Sequence, residues 1–477
     1  MHEFYQNPLC GRYASDEMKR LFSDDTKFST WRRLWVALAE SEKELGINIS
    51  DAQIASMKQN ITNIDYESAA KHECEVRHDV MAHVLTFGEA CPDAKPIIHL
   101  GATSCYVGDN TDIIQMKQAL CIIKKQLVST ISALRDFAQK HKALPSLAYT
   151  HFQAAQPTTI GKRATLWIND LVLDLEQLQF QLDGLKLLGC KGTTGTGASF
   201  LELFDGDTSK VEALEGKIAS KMGFEQCVPV SGQTYSRKTD FFVLQVLSSI
   251  AQSATKFSND IRLMSHLKEV DEPFEDKQIG SSAMAYKRNP MRSERIASLS
   301  RYIINDLQNA AFTASGQWFE RTLDDSANRR LSIPEAFLAT DAVLNLYLNV
   351  INGLRVYPAV IESHLLQELP FMATENILMY CVKEKNADRQ ALHEAIRRHS
   401  VAAAEVVKLH GGKNDLLERI KADATFDLTD KELEELTNPI TFTGMATLQT
   451  EKYLANTVNP ILDQNKDLLG YDAIVKV

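Results

Sequence analysis

FFVLQVLSSIAQSATKFSNDIRLMSHLK, residues 241–268, decides the fold class. Its apolar residues fall at Val243, Leu247, Ile250, Ala254, Phe257, Ile261 and Met264, in steps of 4, 3, 4, 3, 4 and 3. That is a heptad seam, and no glycine or proline interrupts it. Leu171, Leu175, Leu178, Leu182 and Leu185 follow the same spacing, and Met116, Leu120, Ile123, Leu127, Ile131, Leu134 and Ala138 come close to it. Glycine-poor stretches around 291–315 and 335–352 read as further helices. Strand alternation bounded by hairpin turns is weak throughout, so the chain reads as all-α. A heptad helix of this length does not bury its seam alone. The seams therefore predict a bundle; they favour one formed between chains, and a single-chain bundle stays open.

The chain has 477 residues, 44% hydrophobic and 24% charged, enough for two or three domains around a large core. We expect three helical domains: an N-terminal one at 1–108, a central long-helix bundle at 109–357, and a C-terminal one at 358–477. The first boundary falls near Gly108, where Asp109, Asn110 and Thr111 offer helix caps, and the second at Tyr357-Pro358. A formal net charge of −10 speaks against a nucleic-acid surface, so any basic cluster is local and suits a small anion. MHEFYQNPLCGRYAS lacks the apolar core of a signal peptide, and no apolar run nears the roughly 20 residues that span a bilayer. The eight cysteines are scattered without a C-x-x-C pair, as expected of reduced thiols in the cytoplasm.

Six segments carry residues suited to chemistry. KHECEVRHDVMAH (71–83) suggests a metal, but on one helix His72 and His83 are separated by roughly 16 Å of rise, and no i, i+4 histidine pair exists. No metal is expected. Arg77, His78 and Asp79 read either as a polar cluster beside a pocket or as a solvated helix face. In HLGATSCYVGDNT (99–111), Thr103 and Ser104 are donors for a carboxylate, or ordinary caps. His151, in YTHFQAAQPTTIGKR (149–163), sits in a polar loop where it is free to exchange protons near neutral pH. KGTTGTGASF (191–200) fits no phosphate-loop pattern and reads as a tight connection where backbone approaches backbone. WFERTLDDSANRR (318–330) sets Arg321, Arg329 and Arg330 beside Ser326, an anion site or a salt-bridged face. In GSSAMAYKRNPMRSE (280–294), Gly280 gives freedom and Lys287 charge, and Asn289-Pro290 opens a helix whose free N–H groups favour an anion.

GSSAMAYKRNP resembles the GSSxMPxKxNP motif of the fumarase/aspartase superfamily of lyases. NPLCGRYAS (7–15), RHDVMAH (77–83), GATSCYVGDN (101–110), YTHFQ (149–153), SGQTYSRK (231–238), QWFERTLDDSANRR (317–330) and ELPFMATENI (368–377) resemble the adenylosuccinate lyase family within it. The resemblance implies β-elimination of fumarate from adenylosuccinate, giving AMP, and from SAICAR, giving AICAR. It implies Ser281 as base and His151 as acid, with His78 and Lys287 in support. Lys287, Asn289, Thr103, Ser104 and Gln233 would stabilise charge developing on a carboxylate. Arg12, Tyr13, Arg321, Ser326 and Arg330 would hold the phosphate, Arg295 the succinyl group or ribose, and Arg77, His78 and Asp79 would line the substrate. It also implies a homotetramer whose central helices share one bundle, with each site drawn from three subunits, and no cofactor or metal. Two positions depart from the family pattern: Ala285 stands where proline is usual, and Gly197 where glutamine is common. The alternatives are a superfamily lyase acting on argininosuccinate, aspartate or malate, and a non-catalytic structural relative. Those three substrates lack the phosphate that the Arg321-Ser326-Arg330 set suits.

Overall fold

Unbroken apolar repeats become long helices in the computed structural model, which describes residues 3–275, 277–279, 283, 284 and 286–475. In chain order the main elements are α1 (Asp24–Glu44), α2 (Tyr66–Val76), α3 (Asp79–Ala90), α4 (Ser104–Lys140), β1 (Pro145–Thr150), β2 (Gln153–Thr159), α5 (Ile160–Gly184), α6 (Lys238–His266), α7 (Met291–Gly316), α8 (Asp324–Gly353), α9 (Pro358–Lys385) and α10 (Arg389–His410). Helices α4 to α8 pack side by side as a bundle, and α1 lies against α4. The fold class is all-α.

The 241–268 seam is buried completely within this one chain. Val243, Leu247, Ile250, Ala254, Phe257 and Ile261 are all 0% exposed. Phe257 stacks on Tyr347 of α8 at 3.8 Å and meets Trp167 of α5 edge-on at 5.2 Å. Each such side chain contributes about 1.5–3 kcal/mol of burial. Because neighbouring helices of the same chain fill the seam, it is no longer an argument for association. A second heptad stripe is: Leu166, Leu173 and Phe180 on the outer face of α5 are 47%, 54% and 69% exposed. One apolar cluster runs from Leu9 to Ile361 and takes in Leu454, Val458 and Leu462, while a smaller one forms around α9 and α10.

Two local expectations are corrected. Helix α4 starts at Ser104 with Thr103 as its N-cap, so Gly108 lies inside it. Asp109, Asn110 and Thr111 are buried helix residues, not caps. Asn110 instead ties α4 to the 185–192 connection, accepting from Gly189 N at 3.1 Å and donating to its carbonyl at 3.2 Å. The second correction is the β1–β2 hairpin, whose turn is His151-Phe152, both left-handed at φ 52° and 57°.

Charge, not only apolar packing, fixes the bundle at the start of α6. Buried Arg237 donates to both oxygens of Asp109 on α4, at 2.9 and 3.3 Å, and to Asp325 on α8 at 2.7 Å. Arg329 on α8 donates to Asp240 on α6 at 2.7 Å and pairs with Asp112 on α4 at 2.8 Å. Tyr235 adds its hydroxyl to Asp240 at 2.6 Å. Burial is the largest single influence and would lower the Arg237 pKa, but Asp109, Tyr235 and Asp240 together more than reverse it. Taking two charges out of water is costly, so removing one partner leaves the others stranded. Arg237→Met should therefore lower the unfolding free energy by about 3–5 kcal/mol in urea titration. A loss of less than about 1 kcal/mol, the scale of an exposed pair, would contradict this brace.

Glu42 in α1 is the opposite case. It is 0% exposed, and among the described residues neither carboxyl oxygen has a hydrogen-bond partner. Burial raises its pKa from 4.5 to about 8. A raised folded-state pKa favours the fold while the group is protonated, and that contribution is lost as pH rises through about 8. Glu42→Gln should accordingly gain melting temperature over the native chain as pH rises from about 4.5 to about 8 and hold that gain above it. A difference that stays flat with pH would mean that the carboxyl is ionised and solvated.

Candidate functional site

The Arg237 brace brings four of the motif segments onto one rim. Gln233 N donates to the Glu320 carbonyl at 3.0 Å, and Gly232 lies so close that a Cβ there would sit 2.5 Å from that oxygen. Cys105, directly after Thr103 and Ser104, reaches the Gln233 side chain at 3.6 Å. Arg330 donates to Asp79 at 2.7 Å, which joins the 77–83 segment to the start of α8. Arg321 donates to Asp325 at 2.8 Å and so belongs to the brace itself. The segments bearing Asp79, Thr103, Ser104, Gln233, Arg321, Ser326 and Arg330 thus meet within one chain. The glycine-rich connection closes against this rim: a Cβ on Gly195 would lie 1.9 Å from the Ser231 carbonyl oxygen, which only glycine permits. Gly197, at φ +66° before a short helix, occupies a left-handed conformation that glutamine would adopt only with strain.

Residues 71–83 form two helices, not one. Arg77 ends α2 in a left-handed turn at φ 53°, and His78 caps α3, its Nδ1 accepting from Met81 N at 3.3 Å. The remaining histidines diverge from it. His72 bonds Glu89 at 2.8 Å, whereas buried His83 stacks on Phe28 at 3.8 Å. Burial, with the charges of Arg32 and Lys27, pushes the His83 pKa down to about 4. His78 alone faces outward near the rim.

A second set gathers elsewhere. Arg12 and Tyr13 lie beside Arg295 of α7, whose guanidinium stands 5.5 Å over the Tyr13 ring, above Ala342, Asn345 and Leu346 of α8. Ser326 to Ala342 spans roughly 24 Å of helical rise. The residues expected around a single phosphate therefore fall into two groups in one chain, Arg321, Ser326 and Arg330 around the start of α8 and Arg12 and Tyr13 beside a later level of it.

His151 stands apart from both. It occupies the exposed hairpin tip, and its imidazole is hydrogen-bonded to none of the described residues. Lys287 is exposed on the loop before α7, and Asn289 is half-buried there. Ser281, Gly280 and Ala285 lie outside the described residues. The helix start after Asn289-Pro290 exists, with Pro290 as N-cap, but its free N–H groups are taken. Arg292 N and Ser293 N donate to Glu272 at 2.9 and 2.6 Å, so the protein's own carboxylate already neutralises that helix end. It is not a site for a substrate anion.

Of the residues that assemble this rim, the sequence singles out Arg329, as part of an anion site or salt-bridged face, and Asp109, as a cap, whereas Asp112, Arg237, Asp240 and Asp325 are not read from it as site residues.

Against known proteins, residues 14–304 match the family described as Lyase, and residues 370–453 match the one described as Adenylosuccinate lyase C-terminus. The chain is 54% identical to the adenylosuccinate lyase of Saccharomyces cerevisiae, covering 99% of this chain and 98% of that one. It is 48% identical to the adenylosuccinate lyase of Schistosoma mansoni over the full length of both. Among solved structures, the 3-carboxy-cis,cis-muconate lactonizing enzyme of Pseudomonas putida superposes with a TM-score of 0.81 at 21% identity, over 94% of this chain and 98% of that one, a likeness of fold. Full-length identity at this level, on a scaffold that gathers the family's motif segments, means that the chain belongs to the adenylosuccinate lyase family.

Proposed function

We propose that the protein eliminates fumarate from adenylosuccinate, leaving AMP, and from SAICAR, leaving AICAR. The observation that carries this reading is the braced rim of 77–79, 103–105, 231–238 and 318–330, which sets arginines and hydrogen-bond donors together in a chain of net charge −10. Both substrates join a phosphate to a succinyl group with two carboxylates, and local cations in an acidic protein suit such anions.

In the proposed reaction Ser281 removes the proton from the carbon next to a substrate carboxylate. The electron pair left behind forms the fumarate double bond as the C–N bond breaks, and His151 gives its proton to the departing nitrogen. Serine is a weak base until its alkoxide is stabilised, and Lys287 supplies positive charge from the same loop. Asn289, Thr103, Ser104 and Gln233 stabilise the charge that builds on the carboxylate, and His78 orients substrate or tunes His151. Arg77 and Asp79 line the same side, the latter fixed by Arg330.

The exposed position of His151 and the division of the phosphate candidates support a site completed by other copies of the chain. The apolar stripe of Leu166, Leu173 and Phe180 supports the same reading, as a surface for a second copy. We propose a homotetramer whose sites draw on three subunits, working in the cytoplasm. Among the described residues no helix is long and apolar enough to cross a membrane.

Proton NMR of the protein with adenylosuccinate, argininosuccinate, malate and aspartate in parallel tests the substrate. Fumarate and AMP from adenylosuccinate alone is the expected result; fumarate from another substrate would overturn the phosphate assignment. Ser281→Ala and His151→Ala should each lower kcat by about 10²–10⁴-fold with the oligomer intact. Dissociation in either variant would mean that the residue holds structure rather than a proton.

A further inference from the structure

Asp341 lies inside the bundle with no role in the mechanism above. It is 0% exposed, and its carboxylate collects hydrogen bonds from three directions. Ser15 donates twice, from N at 2.6 Å and Oγ at 2.9 Å. Gln126 of α4 donates at 2.7 Å, and the Asn345 amide reaches both the Asp341 carbonyl, at 2.9 Å, and its carboxylate, at 3.4 Å. Ser15 follows Arg12-Tyr13-Ala14 directly, so this carboxylate fixes the chain just after the two residues proposed to hold phosphate.

The same network continues into the C-terminal segment. Gln126 also donates to the Tyr471 hydroxyl at 3.0 Å, and that hydroxyl donates to Asn345 at 3.0 Å. Ser129 supplies a second anchor, donating to the Leu468 carbonyl at 3.3 Å and accepting from Tyr471 N at 3.3 Å. The Lys125 ammonium stands 5.6 Å from the Tyr471 ring. Held this way, the segment lays Ile474 and Val475 against Arg12, Tyr13 and Arg295, as the apolar wall of their pocket. Asn345 belongs both to the network and to the pocket lining.

We infer that Asp341 and Tyr471 are positioning residues for the anion pocket of Arg12, Tyr13 and Arg295, one fixing its floor through Ser15 and the other holding the C-terminal segment as its wall. The inference rests on the reading of Arg12 and Tyr13 as phosphate-binding. Neither residue touches substrate. Their effect is on where the Arg12 guanidinium and the Tyr13 hydroxyl stand when the phosphate arrives, so it falls on binding and not on the proton transfers. Asp341 serves both segments at once, because Gln126 is bonded to its carboxylate and to Tyr471 through the same amide nitrogen.

The test is calorimetric titration of AMP into the native protein, Tyr471→Phe and Ser129→Ala, with steady-state kinetics on adenylosuccinate and thermal melts alongside. Tyr471→Phe removes only the hydroxyl, and Ser129→Ala releases the same segment from its other anchor without touching the pocket. Each should weaken AMP binding by about 3- to 10-fold, the loss of a hydrogen bond or two. KM should rise in parallel and kcat stay within about twofold, as when an interaction shared by ground and transition states is lost. AMP affinity and KM at native values in both variants, with only the melting temperature lowered, would overturn the inference and make the segment a structural strap. Should the native protein release no fumarate from adenylosuccinate, the functional reading fails, and the AMP titration decides the positioning role by itself. Native protein that binds no AMP would overturn it too.

Discussion

Arg237 is the residue on which the architecture turns. Its guanidinium is nearly excluded from water and divides its donors between α4, through Asp109, and α8, through Asp325. An arginine in that position is tolerable only if every donor meets a charge, so the three helices are held at one register. Arg329 and Asp240 repeat the arrangement one layer away. Apolar seams set which helix faces meet, but grease slides; the ion lattice specifies where along their lengths they meet. Because the motif segments lie at these same helix ends, fixing the register also fixes the rim.

The fold class was legible because a 3.5-residue apolar period has one structural meaning. Val243 to Met264 is buried as its spacing requires. The His151 hairpin was not legible, because its turn uses two left-handed residues, histidine and phenylalanine, where a glycine or asparagine would have announced it. The start of α4 was misplaced for a related reason. Asp109 and Asn110 look like caps but spend their oxygens on Arg237 and Gly189, leaving Thr103 at the helix end. The motif segments of the rim could be read from sequence, and 318–330 could be read as a salt-bridged face, but the partners of its arginines on other helices could not, since a buried ion pair has no period. The carboxylate of Glu272 at the start of α7 was invisible in the same way, and it removes an anion site that the Asn289-Pro290 step suggested.

The residues proposed to hold substrate fall at different levels of one long helix. Helix α8 carries Ser326 and Arg330 at its start, and Asp341 and Asn345, which serve the Arg12 set, further along. A rigid rod cannot fold these onto one small molecule. In the proposed assembly, packing several such rods together does so, with the exposed stripe on α5 as the apolar surface. On this account a single chain holds parts of several sites, each part stiff, and assembly brings complementary parts face to face. Rigidity of the parts then matters more than mobility, which is why buried charge and the Asp341 network are spent on positions distant from the proton transfers.

The central proposal is that each site draws on several chains, so that the Ser281 and His151 of one site can come from different copies, and subunit mixing tests it most directly. Ser281→Ala and His151→Ala proteins, each inactive alone, would be exchanged and assayed for fumarate release from adenylosuccinate, with exchange verified by mass spectrometry of the intact assembly. Recovered activity is predicted, because a mixed assembly contains some sites with both native residues. Verified exchange with no recovery would contradict a site shared between chains.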